Sequence, residues 1–375
     1  MDKSLVIQQT QTNLVQVEQL FEITQSILSL SKSQFSEEGT TFRNNPYRTG
    51  FIAKTIDSQG FGIKDSFCHL SSIRSSPIAY NQVLYFGSNS QYIHAIDARS
   101  FEELWRYRTH KEVLSTPCID GNTLYIGSFD TYLYAINITN GIQRWKFKTD
   151  DWIFSSPLVY KEMVICGSMD GKLYAVNKYT GKPIWHYSTE HWIISSPTLF
   201  DHSIIFGTRD KRIICLDAIN GKELWNFPTL APVHATAALY DHTAFIGDLA
   251  GNFYALRAYD GSLKWKNLVG SAIFSSAAVS ENILVFGTKK SGIYALNPSN
   301  GKVIWQKELS HASHASPLLF ENSVITGTEN GDILVLTILD GQTLWQFHTD
   351  DVIRSSPLYY DGKIFVSGSS LLRIY

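Results

Sequence analysis

The chain has 375 residues, 44% of them hydrophobic and 18% charged, with a formal net charge of -2. Such a balance, with no long Lys/Arg run, lacks the concentrated basic surface of a nucleic-acid binder, and no apolar run approaches the length of a transmembrane helix. The cysteines Cys68, Cys118, Cys166 and Cys215 have no metal-ligand spacing and read as small buried hydrophobes of a reducing compartment.

In residues 1–39 the apolar side chains Leu14, Val17, Leu20, Phe21, Ile27 and Leu28 recur near helical spacing, which predicts an amphipathic helical segment outside the main domain. The opening MDKSLVIQQTQTNLVQ breaks the apolar core that a secretory signal needs, so a cytoplasmic location is expected. Residues 61–70, FGIKDSFCHL, have β character, and Asp65 stands forty residues before Trp105. Two combs of the same period follow. The third residue of each Ser-Ser-Pro-like string is Pro77, Pro117, Pro157, Pro197, Ala237, Ala277, Pro317 and Pro357, and the second comb is Trp105, Trp145, Trp185, Trp225, Trp265, Trp305 and Trp345. Self-similarity at this length means stacked supersecondary units.

Within one unit, SSPLVYKEMVICGSMDGKLYAVNKYTGKPIWHYSTEHWIIS, four short runs of β-forming residues are closed by the turn clusters KE, SMDG, NKYTG and STEH. Short β-runs parted by such turns predict a four-stranded antiparallel meander. A sheet apolar on both faces buries itself only between neighbours arranged around an axis. The expected fold is therefore all-β, an eight-bladed β-propeller over residues 40–375. The eighth unit stops about one strand short, so residues 61–70 are assigned as its outer strand, a clasp between the chain ends. The glycines four before each Trp from Gly141 to Gly341 suit the positive φ of a tight hairpin.

At these residues a family resemblance emerges. The pattern A-x-D-x-x-x-G-x-x-x-W, present as LYAVNKYTGKPIW and more weakly as HAIDARSFEELW, resembles the tryptophan-docking repeat of pyrroloquinoline quinone-type propellers. TTFRNNPYRTGF, residues 40–51, resembles the short arm that precedes the first blade in such proteins. The resemblance spans residues 40–375 and implies eight blades. Quinone dehydrogenases of the family carry adjacent cysteines and a calcium-holding Glu, Asn and Asp set. This chain has no Cys-Cys pair, so the resemblance implies the non-quinone branch, like the outer-membrane assembly-factor propeller, without a cofactor.

The residue before each Ser-Ser-Pro-like string varies where its neighbours hardly do: Arg74, Leu114, Phe154, Ile194, His234, Phe274, His314 and Arg354. Blades 2 to 4 are apolar there, with Trp152 and Trp192 two residues earlier, whereas blades 5, 7, 8 and 1 bring His and Arg, joined by His311 and Asp351. A central funnel with an aromatic wall and a basic wall is expected. The predicted ligand set is Arg74, Trp152, Phe154, Trp192, His234, Phe274, His311, His314, Asp351 and Arg354, and its chemistry suits a carboxylate, a phosphate or an acidic peptide. Pairing of the basic residues with Asp151, Glu112 or Asp351 is the alternative. His234, His314 and Arg354 are the candidates for proton chemistry, but no nucleophile motif or phosphate loop accompanies them, and no metal is expected. The expected function is a monomeric binding or scaffold propeller for a protein partner. The alternative is an enzyme or binding protein for a small anionic, partly apolar metabolite.

Overall fold

The computed structural model describes residues 41–374 apart from 59, 69–71 and 291, so the helical segment expected over 1–39 lies outside the described residues. β1 (Ile63–Cys68) precedes the first unit, whose four runs become β2 (Ile78–Tyr80), β3 (Val83–Gly87), β4 (Tyr92–Asp97) and β5 (Glu103–Arg108). β2 to β5 pair antiparallel in chain order, and the described residues form eight four-stranded sheets. β3 and β4 are buried along most of their length while β5 alternates exposed and half-buried, so only a flanking blade can cover the middle strands. Core clusters accordingly join successive blades, as where Ile205, Cys215 and Trp225 of blade 4 meet Ala244, Tyr254 and Leu256 of blade 5. The described cysteines Cys118, Cys166 and Cys215 are buried and free, and desolvation raises the pKa of each thiol.

The ring closes on the eighth sheet, ordered β1, Ser370–Ile374, Lys363–Ser367, Leu358–Tyr360. Residues 61–70 thus supply the missing outer strand, in the register the spacing implies. Asp65 pairs with Arg373 as Trp345 of blade 7 pairs with Val335, each beside the same bulge. At five other seams the indole Nε1 donates to a carbonyl in the next blade's turn, from Trp105 to Ile138 O at 2.7 Å through Trp305 to Ile338 O at 2.8 Å. The ring lies against a turn glycine: Gly221 has φ +70°, and a Cβ there would come within 2.6 Å of Trp185.

The last seam lacks both the Trp and the Gly. Arg373, 6% exposed, donates from Nη1 to Ala98 O (2.9 Å) and Arg99 O (2.6 Å) and lies 4.6 Å over the Phe101 ring. Ala98 and Phe101 stand forty residues before Ile138 and Gly141. A guanidinium therefore bridges to the same carbonyl, over the same turn, that an indole serves elsewhere.

The arm ahead of β1 occupies the centre of the ring. The carbonyls of Pro46, Tyr47, Thr49 and Gly50 accept the amides of Leu199, Leu239, Val279 and Leu319 at 2.8–3.1 Å, equivalent positions on the inner strands of blades 4 to 7. Arg43 and Arg48, 6% and 0% exposed, anchor it. Arg43 donates to the carbonyls of Arg48, Ser276, Ala277 and Pro317, and Arg48 to Thr41 Oγ1 and the carbonyls of Phe42, Pro157 and Pro197. Neither has a carboxylate partner among the described residues. Desolvation, then Arg48, lowers Arg43 to about 9, and desolvation lowers Arg48 to about 10. Both are still cations at neutral pH. No helix among the described residues is long and apolar enough to cross a membrane.

Candidate functional site

Each residue before a Ser-Ser-Pro-like string sits where the chain passes from an outer strand to the next inner strand, so the eight side chains turn toward the axis. All eight line one cavity of about 460 Å³, within the range of ligand pockets. Of the predicted ligand set, Arg74, Trp152, Phe154, His234, Phe274, His314 and Arg354 line it, and Trp192, His311 and Asp351 do not. Phe129, Met169 and Phe42 line it as well. Phe129 and Met169 stand forty residues apart, at one position of the loop between second and third strands, so the period could have found them. Phe42 has no such signal, because only the path of the arm brings it to the axis.

The basic wall is built around a carboxylate that the sequence reading passed over. Arg354 Nε and Nη2 both reach Glu329 Oε1, at 2.6 and 2.5 Å, and His314 Nδ1 lies 3.2 Å from the same oxygen. Among the acids considered as partners, Asp351 instead accepts the Ser369 hydroxyl and Asp151 the amide of Trp152. Glu329 stands four repeats after Met169, at the same position of the loop between second and third strands, so the period marks its place too, and only the fold shows that it meets Arg354. Arg74 is exposed and has no ion-pair partner among the described residues. Desolvation and then the adjacent Arg354 lower its pKa, with Glu329 opposing.

Two histidines of the funnel, His234 and His314, have lowered pKa values. Burial lowers the pKa of His314, opposed by Glu329 and reinforced by Arg354 and Lys289. Burial, then Arg209, lowers His234 to about 4. The Nε2 atoms of both rings are buried with no hydrogen-bond partner. Phe274 lies between them, 5.7 Å from His234 and 4.7 Å from His314.

On the aromatic wall Trp152 stacks on Phe129 with centroids 4.7 Å apart and planes 15° apart, and Phe154 lies 6.1 Å from the same ring. Trp152 and Phe154 remain 38% and 41% exposed. Trp192 is equally exposed but has the Arg209 guanidinium 4.1 Å over its ring.

Ser88 Oγ lies 3.1 Å from His94 Nε2, and His94 Nδ1 2.7 Å from Glu103 Oε1, the order of a hydrolytic triad. Ser88 and His94 are completely buried, so no substrate reaches the hydroxyl. Among the described residues no cluster of His, Cys, Asp or Glu is placed to hold a metal.

A family model described as outer membrane protein assembly factor BamB matches residues 53–188, 152–272 and 269–372. BamB from Moraxella catarrhalis is similar at 15% identity and TM-score 0.74, over 84% of this chain and 99% of its own. Quinohemoprotein alcohol dehydrogenase from Comamonas testosteroni is similar at 13% identity and TM-score 0.79, over 91% and 80%, and the computationally designed Ika8 protein at 17% and 0.73, over 82% and 97%. No curated protein matches. An assembly factor, a dehydrogenase and a designed protein have the blade architecture in common, so this likeness is one of fold.

Proposed function

The chain belongs to the PQQ_2 family, described as outer membrane protein assembly factor BamB, and from that premise we propose that it is a binding module whose central funnel takes an acidic, partly apolar segment of a protein partner. One observation carries the reading. Arg74 presents a guanidinium with no ion-pair partner among the described residues, in the same cavity as Trp152 and Phe154. Arg recognises carboxylates through a planar, two-pronged donor set, and exposed aromatic anchors supply most of the energy at binding hot spots. The partner's carboxylate is held at Arg74, beside the Arg354–Glu329 pair, and its apolar flank lies on Trp152 and Phe154. A cytoplasmic location belongs to the proposal and is checked by cell fractionation.

The test is the affinity of a fluorescently labelled peptide rich in Glu and Leu. Arg74→Ala and Trp152→Ala are each expected to weaken it about tenfold, equivalent to about 1.4 kcal/mol, with unchanged unfolding midpoints. Unaltered affinity in both variants sinks the reading.

A small anionic metabolite is the second reading, favoured by the buried, unpartnered Nε2 atoms of His234 and His314, two ring nitrogens that polar groups of a ligand would satisfy. Native mass spectrometry of the purified protein separates the two, since only the second reading expects a co-purified organic metabolite.

A further inference from the structure

The second residue of every Ser-Ser-Pro-like string is Ser or Thr, from Ser76 at forty-residue intervals to Ser356. All eight line the funnel cavity. They are chained side to side: the amide of Ser76 donates to Thr116 Oγ1 (3.2 Å), that of Thr116 to Ser156 Oγ (3.1 Å), and that of Ser356 returns to Ser76 Oγ (2.8 Å). Seven of the eight possible links are present. A hydroxyl that accepts an amide still has its own proton to give. Among the described residues none of these hydroxyls donates to a protein acceptor.

The arm's two arginines lie directly beneath this ring. Arg43 donates to the carbonyl of Ser276, itself a ring residue, at 3.2 Å. Arg48 donates to the carbonyls of Pro157 and Pro197 at 3.2 and 3.4 Å, each the next residue after a ring member, and its Nε is buried without a partner. Two buried cations with no carboxylate are costly unless something compensates them. Eight hydroxyls that line the cavity above them, each with a proton still to give, supply the complementary half of an anion site.

We propose that the hydroxyl ring and the two arm arginines form an anion seat at the floor of the funnel, which takes a small oxyanion, either free phosphate or a carboxylate or phosphate group on a larger ligand. The ring hydroxyls bind its oxygens directly, and Arg43 and Arg48 supply the field that favours negative charge there. The seat shares the cavity with the Arg74 wall but does not rest on that wall binding a partner.

Inorganic phosphate is the probe, titrated calorimetrically against the full chain at constant ionic strength maintained with sodium chloride. Saturable binding is expected, weakened about tenfold or more in Ser156→Ala/Ser276→Ala and in Arg48→Met. Because those variants also remove structural hydrogen bonds, a second measurement uses the unaltered protein: crystals soaked in selenate, with the anomalous selenium peak located. A peak on the axis within hydrogen-bond reach of the ring oxygens upholds the seat. No saturable binding, or a peak only beside Arg74, overturns it. Binding lost in Arg74→Ala but kept in both floor variants also overturns the seat, while leaving the funnel reading intact. If the labelled acidic peptide competes with phosphate, the occupant is a group on the larger ligand. If it does not, the occupant is a free ion, and the seat stands in both cases.

Discussion

Arg74 and Arg354 occupy the same position of adjacent repeats, and one neighbour separates their chemistry. Glu329 accepts the Nε–H of Arg354 and lies 2.5 Å from its Nη2, whereas Arg74 has no ion-pair partner among the described residues and is open to a ligand. His234 shows how burial alone selects a protonation state. Its folded-state pKa of about 4 lies below the ordinary 6.5, so between those values the unfolded chain binds more protons. Stability is then fully present above about pH 6.5, falls as the pH drops towards 4, and levels off below that. At about 1.4 kcal/mol per pKa unit the loss is at most roughly 3.5 kcal/mol. Urea unfolding of the wild type and of His234→Phe between pH 7 and 4 measures it. Parallel pH profiles for the two proteins rule out a buried neutral His234.

Among the elements, β1 decides whether the ring closes. Without it the strand Ser370–Ile374 has an open edge, and two cores meet solvent. The seam to blade 1 depends on Arg373, whose removal leaves the carbonyls of Ala98 and Arg99 without their donor. Arg373→Met is expected to cost about 2–3 kcal/mol. Hydrogen exchange should then quicken first in β1 and its partner strand. Equal quickening in all blades contradicts a local clasp. The place of β1 was legible in the sequence because the forty-residue comb runs back to Asp65. Arg373 was not, since its counterpart in every other blade is a small or apolar residue of the third strand and the Trp sits one strand away.

For the whole molecule the arm determines what kind of hole the propeller has. By pairing with the inner strands of blades 4 to 7 it turns an open channel into a funnel with a floor. A chain that begins at residue 57 loses acceptors for the amides of Leu199, Leu239, Val279 and Leu319. At about 1 kcal/mol per hydrogen bond the expected loss of stability is about 4 kcal/mol or more. Exchange measurements should find those four amides deprotected while the middle strands stay protected. Full protection of the four in the shortened chain contradicts the plug.

By itself the sequence determined the blade count, the strand order, the clasp, and which position of each unit turns toward the axis. All of these follow from a period, and a period constrains every unit at once because each blade is buried only by its neighbours. Tertiary structure alone decided that Glu329 serves Arg354, that Arg373 stands in for an indole, that the arm carries two cations to the axis, and that the recurring Ser and Thr close into a ring of donors. These contacts join residues on different blades or at opposite ends of the chain. Their partners depend on the closed ring rather than on neighbours along the chain.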